Sequence, residues 1–319
     1  MATGSLAQTG APVVARRSSG VWRDAFSRLR RNKLAMVGLV LVIALFIMGV
    51  VGPLIAPHKF YVQDVAAITE NSYRPLHPFD PLSMRTGHIL GTDDLGRDSL
   101  SRALDGAQIS VSVALVVQFV VLLIGLPLGA LAGWLGGRLD NLLMRFTDVM
   151  YAFPDLLLII LMSVTFRNTW FGQQFNGLLL VFVAIGLTSW VTVARLVRGQ
   201  LLSLKEMEFV EAAKAIGVSD RKIVTKHLMP NAIGPIIVAI TLGIPGAILA
   251  EATLAYLGVG VQPPRASWGS LISEGVKYIR SDPHLVLIPA VLIATALISF
   301  TFLGDGLRDA LDPKLKGKQ

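Results

Sequence analysis

The sequence predicts an all-α polytopic membrane protein with six transmembrane helices. Three observations lead there. Apolar residues make up 53% of the 319 and charged residues only 16%, whereas soluble domains carry roughly 25% charged residues. Mean hydropathy is +0.62. The charges cluster between uncharged runs that exceed the ~20 residues needed to cross hydrocarbon. The chain has no cysteine, which excludes disulfides, thiolate catalysis and Cys-ligated metals. Its five His show no paired spacing such as HExxH, so no metal site is expected. A net charge of +8 would suggest nucleic acid in a soluble protein. Here the placement of the charges points to membrane orientation, and no nucleic-acid partner is expected.

Residues 1–20 are rich in Ala, Gly, Ser and Thr and read as a disordered tail. A secretory signal is not expected, because the first apolar run comes late and is too long for an h-region. From Val21 to Lys33, Trp22, Phe26 and Leu29 make one apolar stripe among five basic residues, the pattern of an interfacial helix in contact with lipid. Residues 34–57 carry no charge and form the first span, and residues 58–106 form the longest loop. Within that loop Asp93 or Asp94 can cap a short helix that lays Leu95, Leu100 and Leu104 on the membrane.

The core transmembrane domain follows over residues 107–304. Its spans are expected at 107–137, with Pro127 as a kink point, at about 141–166, and within 168–194. The last two are expected near 231–257 and 284–303, leaving 305–319 as a tail. Gly125, Gly129 and Gly133 are spaced four apart, which permits close helix contact. With the N-terminus inside, the inner segments hold 20 Lys and Arg and the outer ones 9. The positive-inside rule then places both termini in the cytoplasm and the 58–106 loop outside.

One stretch differs from its surroundings: Glu206 to Pro230, charged and set between apolar runs. Leu204, Met207, Val210, Ala213 and Ile216 recur every three residues, close to helical period. Gly217 can end that helix in the left-handed conformation. Ser219 or Asp220 can cap a second, Arg221 to Leu228, before Pro230 opens the fifth span. An amphipathic loop helix packed on its own bundle is one reading of 203–230, and a docking surface for another subunit is the other. Glu251 interrupts a long uncharged run and is either a translocation-path residue or a carboxylate that reaches headgroup water. Asp155 is weighed the same way, as a path residue or, after Pro154, as a first-turn residue. Gly258 to Trp268, with Gln262 between, reads as an outer loop dipping toward the pore mouth or as a plain connection. No GxxxxGK[ST], GxSxG or zincin motif occurs, so no catalytic residue is assigned.

The order Glu211-Ala212-Ala213, Gly217, then His227-Leu228-Met229-Pro230 resembles the EAA loop of ATP-binding-cassette importer permeases. The family pattern ends in Ile-x-Leu-Pro, from which His227 and Met229 depart. Gly91-Thr92-Asp93, Leu95-Gly96-Arg97-Asp98 and Ser101-Arg102 are similar to the dipeptide and oligopeptide permeases of the C type. So are the segments from Trp22 to Ala35 and from Leu257 to Gly269. The resemblance implies the type I importer (MetI-like) permease fold in a bacterial inner membrane. It implies a coupling helix with Met207, Val210, Glu211, Ala212, Ala213, Ile216 and Gly217 at the docking surface, and Met229 and Pro230 at a hinge. It also implies four partners: a second homologous permease, two ATP-binding subunits and an extracytoplasmic solute-binding protein. ATP and magnesium would sit on the ATP-binding subunits, with no cofactor on this chain. Glu251, Gln262 and Trp268 are the candidates for the path or outer gate. Nickel or glutathione import on the same scaffold, and an ATP-independent transporter or channel, remain as alternatives to peptide import.

Overall fold

A computed structural model describes residues 21–312 of the chain. The expected tail at 1–20 lies outside the described residues, as do residues 313–319 of the tail expected at 305–319, while residues 305–311 are helical and continue the last span. Among the described residues the protein is helical, and the only β contacts are two isolated bridges within the 63–98 loop.

Helix α1 (Val21–Arg31) comes first. It buries Ala25 and Leu29 against Ala310, while Phe26 is exposed. The expected stripe is therefore split, because the end of the last helix occupies one side of α1. Asn32 caps α2 (Lys33–Ile55), accepting from the Ala35 N–H at 3.1 Å. Two short helices, α3 (Val65–Glu70) and α4 (Pro81–Thr86), lie in the long loop.

Helix α5 (Ser99–Leu135) starts eight residues before the expected span, so the loop ends at residue 98. The cap is Asp98, accepting from the Ser101 N–H at 2.7 Å, and no separate helix starts at Asp93 or Asp94. Asp93 instead closes the preceding turn, accepting from the Leu95 and Arg97 N–H groups, both at 2.9 Å. Pro127 does not interrupt α5.

The expected third span is broken. Helices α6 (Gly137–Ala152) and α7 (Asp155–Phe166) meet at 80°. Pro154 lacks an N–H and drives Phe153 into extended backbone, which ends α6. After the short α8 (Trp170–Gln173), α9 (Leu178–Lys205) runs eleven residues past the expected end of the fourth span. Arg195 and Arg198, just past that expected end, are paired in place. Arg198 makes a bidentate contact to Asp140 at 2.6 and 2.7 Å, and Arg195 reaches Asp148 at 2.8 Å.

Helix α10 (Glu208–Ala215) and α11 (Asp220–Ile223) lead through a π turn, Val224–Leu228, into α12 (Met229–Tyr256). The helical run from 220 to 256 is continuous, and Pro230 sits in the first turn of α12 within it. The wider π turn relieves the clash of the proline ring with the carbonyls before it. Helix α13 (Trp268–Gly275) and α14 (His284–Leu311) complete the chain.

Helix α5 is the centre of the bundle. Gly125, Gly129 and Gly133 lie against Trp190, Ala194 and Arg198 of α9, so α5 and α9 run parallel. The chain between them must cross back, and α6 with α7 is the connection that does so. The bent pair thus counts as one span, giving six. Helix α2 runs antiparallel to both α5 (Gly49 against Ala107) and α14 (Gly38 against Ser299). Helix α12 also runs antiparallel to α5, with Gln118 near Gly243 and Ser110 near Glu251. One face of the bundle therefore carries α1, α10 and the C-terminal end of α14. The other carries the 58–98 loop and α13.

Candidate functional site

The charged stretch folds as the short helix α10 held at both ends. Val210 and Ala213 face the bundle core near Ile223 and Leu228. Met207, Glu211 and Ala212 are exposed, and Ile216 is 81% exposed. The expected single apolar face does not exist. Nine residues at about 100° each put Met207 and Ile216 on opposite sides of a helix. The outward face instead combines Phe209, Ala212 and Ile216 with Glu208 and Glu211.

Gly217 ends α10 at φ +77°. Its N–H donates to Lys214 O at 2.9 Å, and the Val218 N–H donates to Ala213 O at 3.0 Å. This is a Schellman closure, with Val218 packed on the core. Trp134, at the end of α5, holds the helix from the other side. The Lys205 and Lys214 ammonium groups lie 5.5 and 5.4 Å from its ring centre, and Lys205 Nζ donates to its carbonyl at 2.9 Å. Sequence reading missed Trp134, since nothing in its local pattern signals contact with α10. Met229 is half-buried and Pro230 exposed, both inside the continuous helix.

A cavity of about 500 Å3 opens between α5, α7, α9 and α12. Its polar lining includes Gln118, Asp155, Thr188, Thr192 and Thr253. Asp155, at the first turn of α7, is exposed to it. Gln118 is buried against Gly243, where a Cβ would lie 2.9 Å from Gln118 Nε2.

Glu251 and Trp268 do not line that cavity. Glu251 is 1% exposed, and the Ser110 hydroxyl contacts its Oε2 at 3.4 Å. Its Oε1 has no protein partner. Trp268 is fully buried, its indole N–H donating to Ala103 O at 3.0 Å. The α13 segment packs onto α5 here and buries both residues between the helices. Gln262 ties its loop to the start of α9, its backbone N–H donating to Asn176 O at 2.9 Å.

Residues 125–317 match the sequence profile of the binding-protein-dependent transport system inner membrane component family. The chain belongs to that family. Residues 20–75 also match the N-terminal transmembrane domain of oligopeptide transport permease C. The chain is 38% identical to the oligopeptide transport system permease protein OppC of Bacillus subtilis, over 95% of this chain and 93% of the other. It is 41% identical to the dipeptide transport system permease protein DppC of the same organism, over 95% and 89%. The glutathione transport system permease protein GsiD of Escherichia coli O6:K15:H31 is 37% identical over 93% and 91%. The fold is similar to that of a chain in inward-facing MetNI methionine ABC transporter structures. That likeness has a TM-score of 0.53 at 21% identity and covers 65% of this chain and 94% of that one.

In this inner membrane component, the segment resembling the C-type permeases forms a knot on the face opposite α10. Gly91 has φ +75°, and a Cβ there would lie 2.0 Å from Leu76 O. Arg102 is buried with Asp93 Oδ2 at 2.6 Å and Glu274 Oε2 at 2.7 Å. Arg97 joins the same two carboxylates. Burial pushes the Glu274 carboxyl up, but Arg102 and Arg97 outweigh it and hold it below its ordinary value. Beside them His88 Nδ1 lies 3.0 Å from Asp98 Oδ1, and its Nε2 lies 3.4 Å from Asp64 Oδ2. The Asp98 hydrogen bond, aided by Asp64 and opposed by burial, raises the His88 pKa above its ordinary value. Glu274 and Asp64 carry no local sequence signal. Their role arises from partners far away in the chain.

Proposed function

We propose that this chain is the permease subunit of an ATP-driven importer that takes up dipeptides or oligopeptides. It forms half of the path beside a second, homologous permease. An extracytoplasmic binding protein delivers the solute to the face bearing the 58–98 loop and α13. Two ATP-binding subunits, which carry ATP and magnesium, dock on the cytoplasmic face, one of them against α10 of this chain. Both termini are cytoplasmic.

The observation that carries this reading is α10 itself. It is fixed to the bundle through Val210, Ala213, Val218 and Trp134. Its outer face, with Phe209, Ala212 and Ile216, remains uncovered. A helix anchored this way passes a push on its outer face directly to α9 and α12. The 500 Å3 cavity between α5, α7, α9 and α12 is this chain's half of the path, with Asp155 and the threonines as its polar contacts. Glu251, Gln262 and Trp268 act as packing groups on the outer side.

Glu211 is exposed and has no structural contact to lose, so Glu211→Arg tests the docking role in membrane vesicles. Expression, assembly and melting temperature stay at wild-type values while ATP-dependent peptide uptake is lost. Wild-type uptake by this variant would overturn the proposal. Glutathione import is a second reading, favoured by the 37% identity to a glutathione permease. Competition of peptide uptake by dipeptides, longer peptides and glutathione separates the two.

A further inference from the structure

We propose that His77, Asp282 and His284 form a binding site for a divalent transition-metal ion of the zinc class. The site joins the 58–98 loop to the start of α14 and lies apart from both α10 and the cavity. Each of the three residues offers a ligand atom, and these atoms lie within 4.8 Å of one another.

Three observations support it. First, His284 is only 8% exposed, yet neither of its ring nitrogens has a hydrogen-bond partner. The Thr92 carbonyl is nearby but outside hydrogen-bond geometry. Buried polar nitrogens are rarely left unpartnered, and such a group calls for an explanation, a bound ion among them. Second, Asp282 is buried as well, and its Oδ1 lies 3.5 Å from His77 Nε2, longer than a good charge-assisted hydrogen bond. Its carboxylate is therefore available to a ligand. Third, the His77 and His284 rings are tilted by 52° with centres 5.4 Å apart rather than stacked face to face, and each brings a nitrogen into the 4.8 Å cluster with the Asp282 carboxylate.

Tetrahedral zinc with bonds of about 2.0–2.2 Å needs ligand atoms roughly 3.3 Å apart. The present spread must close by about 1–1.5 Å. His77 can supply that movement, because its side chain is 53% exposed on a loop. Two imidazoles and one carboxylate suit zinc and its neighbours over calcium or magnesium, which take oxygen ligands. A water completes the fourth position.

The other histidine cluster, His58 with His88 and Asp98, also holds one buried unpartnered nitrogen, His58 Nε2, but differs in its other two members. Its rings are stacked at 4.3 Å and 28°, and both nitrogens of His88 already meet carboxylates. It serves as the control.

The test uses the full, tag-free chain in detergent, stripped with EDTA and titrated with zinc chloride. Bound zinc is counted by elemental mass spectrometry, and thermal unfolding is followed in parallel. The wild type should bind one zinc per chain and melt at a higher temperature when loaded. His77→Ala and Asp282→Asn should each weaken binding by roughly tenfold or more and abolish the shift. Since His77 is exposed, metal-free His77→Ala should melt like the metal-free wild type. His58→Ala should bind as the wild type does. No stoichiometric zinc, zinc bound unchanged by His77→Ala, or zinc lost only in His58→Ala would each overturn the proposal.

Discussion

At the scale of the residue, His88 is held between two carboxylates, and its contribution to stability has a defined sign. Its folded pKa is raised above the ordinary 6.5 by the Asp98 hydrogen bond, against burial, with help from Asp64. The favourable interaction is complete below about pH 6.5 and is lost as pH rises through the raised value. Asp64 is lowered from 3.8, first by the Ala67 N–H it caps and then by His88. Burial pushes Asp98 up from 3.8, yet its bonds to His88 and Ser101 prevail and leave it lowered. Their contribution is present above about pH 4 and is lost as pH falls through the lowered values. The melting-temperature gap between wild type and His88→Gln should be widest near pH 5–6 and shrink toward pH 9. A gap that widened with rising pH would contradict the ion-pair account. Trp268 makes a second prediction. It is fully buried and hydrogen-bonded to Ala103, so Trp268→Ala should cost about 3–5 kcal/mol. Reduced yield of folded protein in detergent is the readout.

At the scale of the element, close approach explains the pairing of α5 and α9. Lipid offers no hydrophobic drive between helices, so small residues and tight packing must hold them together. A Cβ on Gly129 would lie 2.3 Å from Ala194 O. That atom is backbone, so the helices must separate to make room. Gly→Ala gains about 1 kcal/mol of helix propensity, but overpacking of this kind costs about 1–3 kcal/mol and more where backbone is struck. Gly129→Ala should therefore lower the melting temperature. Gly199→Ala, on the same α9 with nothing within 4 Å, should leave it unchanged or raise it. The spacing of Gly125, Gly129 and Gly133 was legible in the sequence, although the partner helix was not. The same limit applies to Arg195 and Arg198. The expected fourth span stops at residue 194, just before them, and only the acids on α6 show that α9 continues through them.

At the scale of the whole molecule, the parallel run of α5 and α9 requires α6 and α7 to act together as one crossing. That sorts α1, α10 and the last turns of α14 onto one face. The absence of cysteine makes the orientation testable, since any introduced thiol is unique. Ala212→Cys and Lys59→Cys both alter exposed positions, on opposite faces. A membrane-impermeant maleimide added to intact cells should label Lys59→Cys and spare Ala212→Cys until the membrane is opened. The reverse pattern would invert the proposed orientation.

The sequence by itself determined the class, the approximate spans and the family. These depend on composition, on uncharged runs matched to the thickness of hydrocarbon, and on local motifs such as Glu211-Ala212-Ala213 with Gly217. Only the tertiary structure decided where those runs end, which side of α10 faces out, and that Glu251 and Trp268 are packed away from the cavity. Only it brought His77 to Asp282 and His284. The physical reason is common to all of these. Burial, ion pairing and ligand geometry depend on residues distant in the chain, and a linear pattern carries only the partners within a few turns.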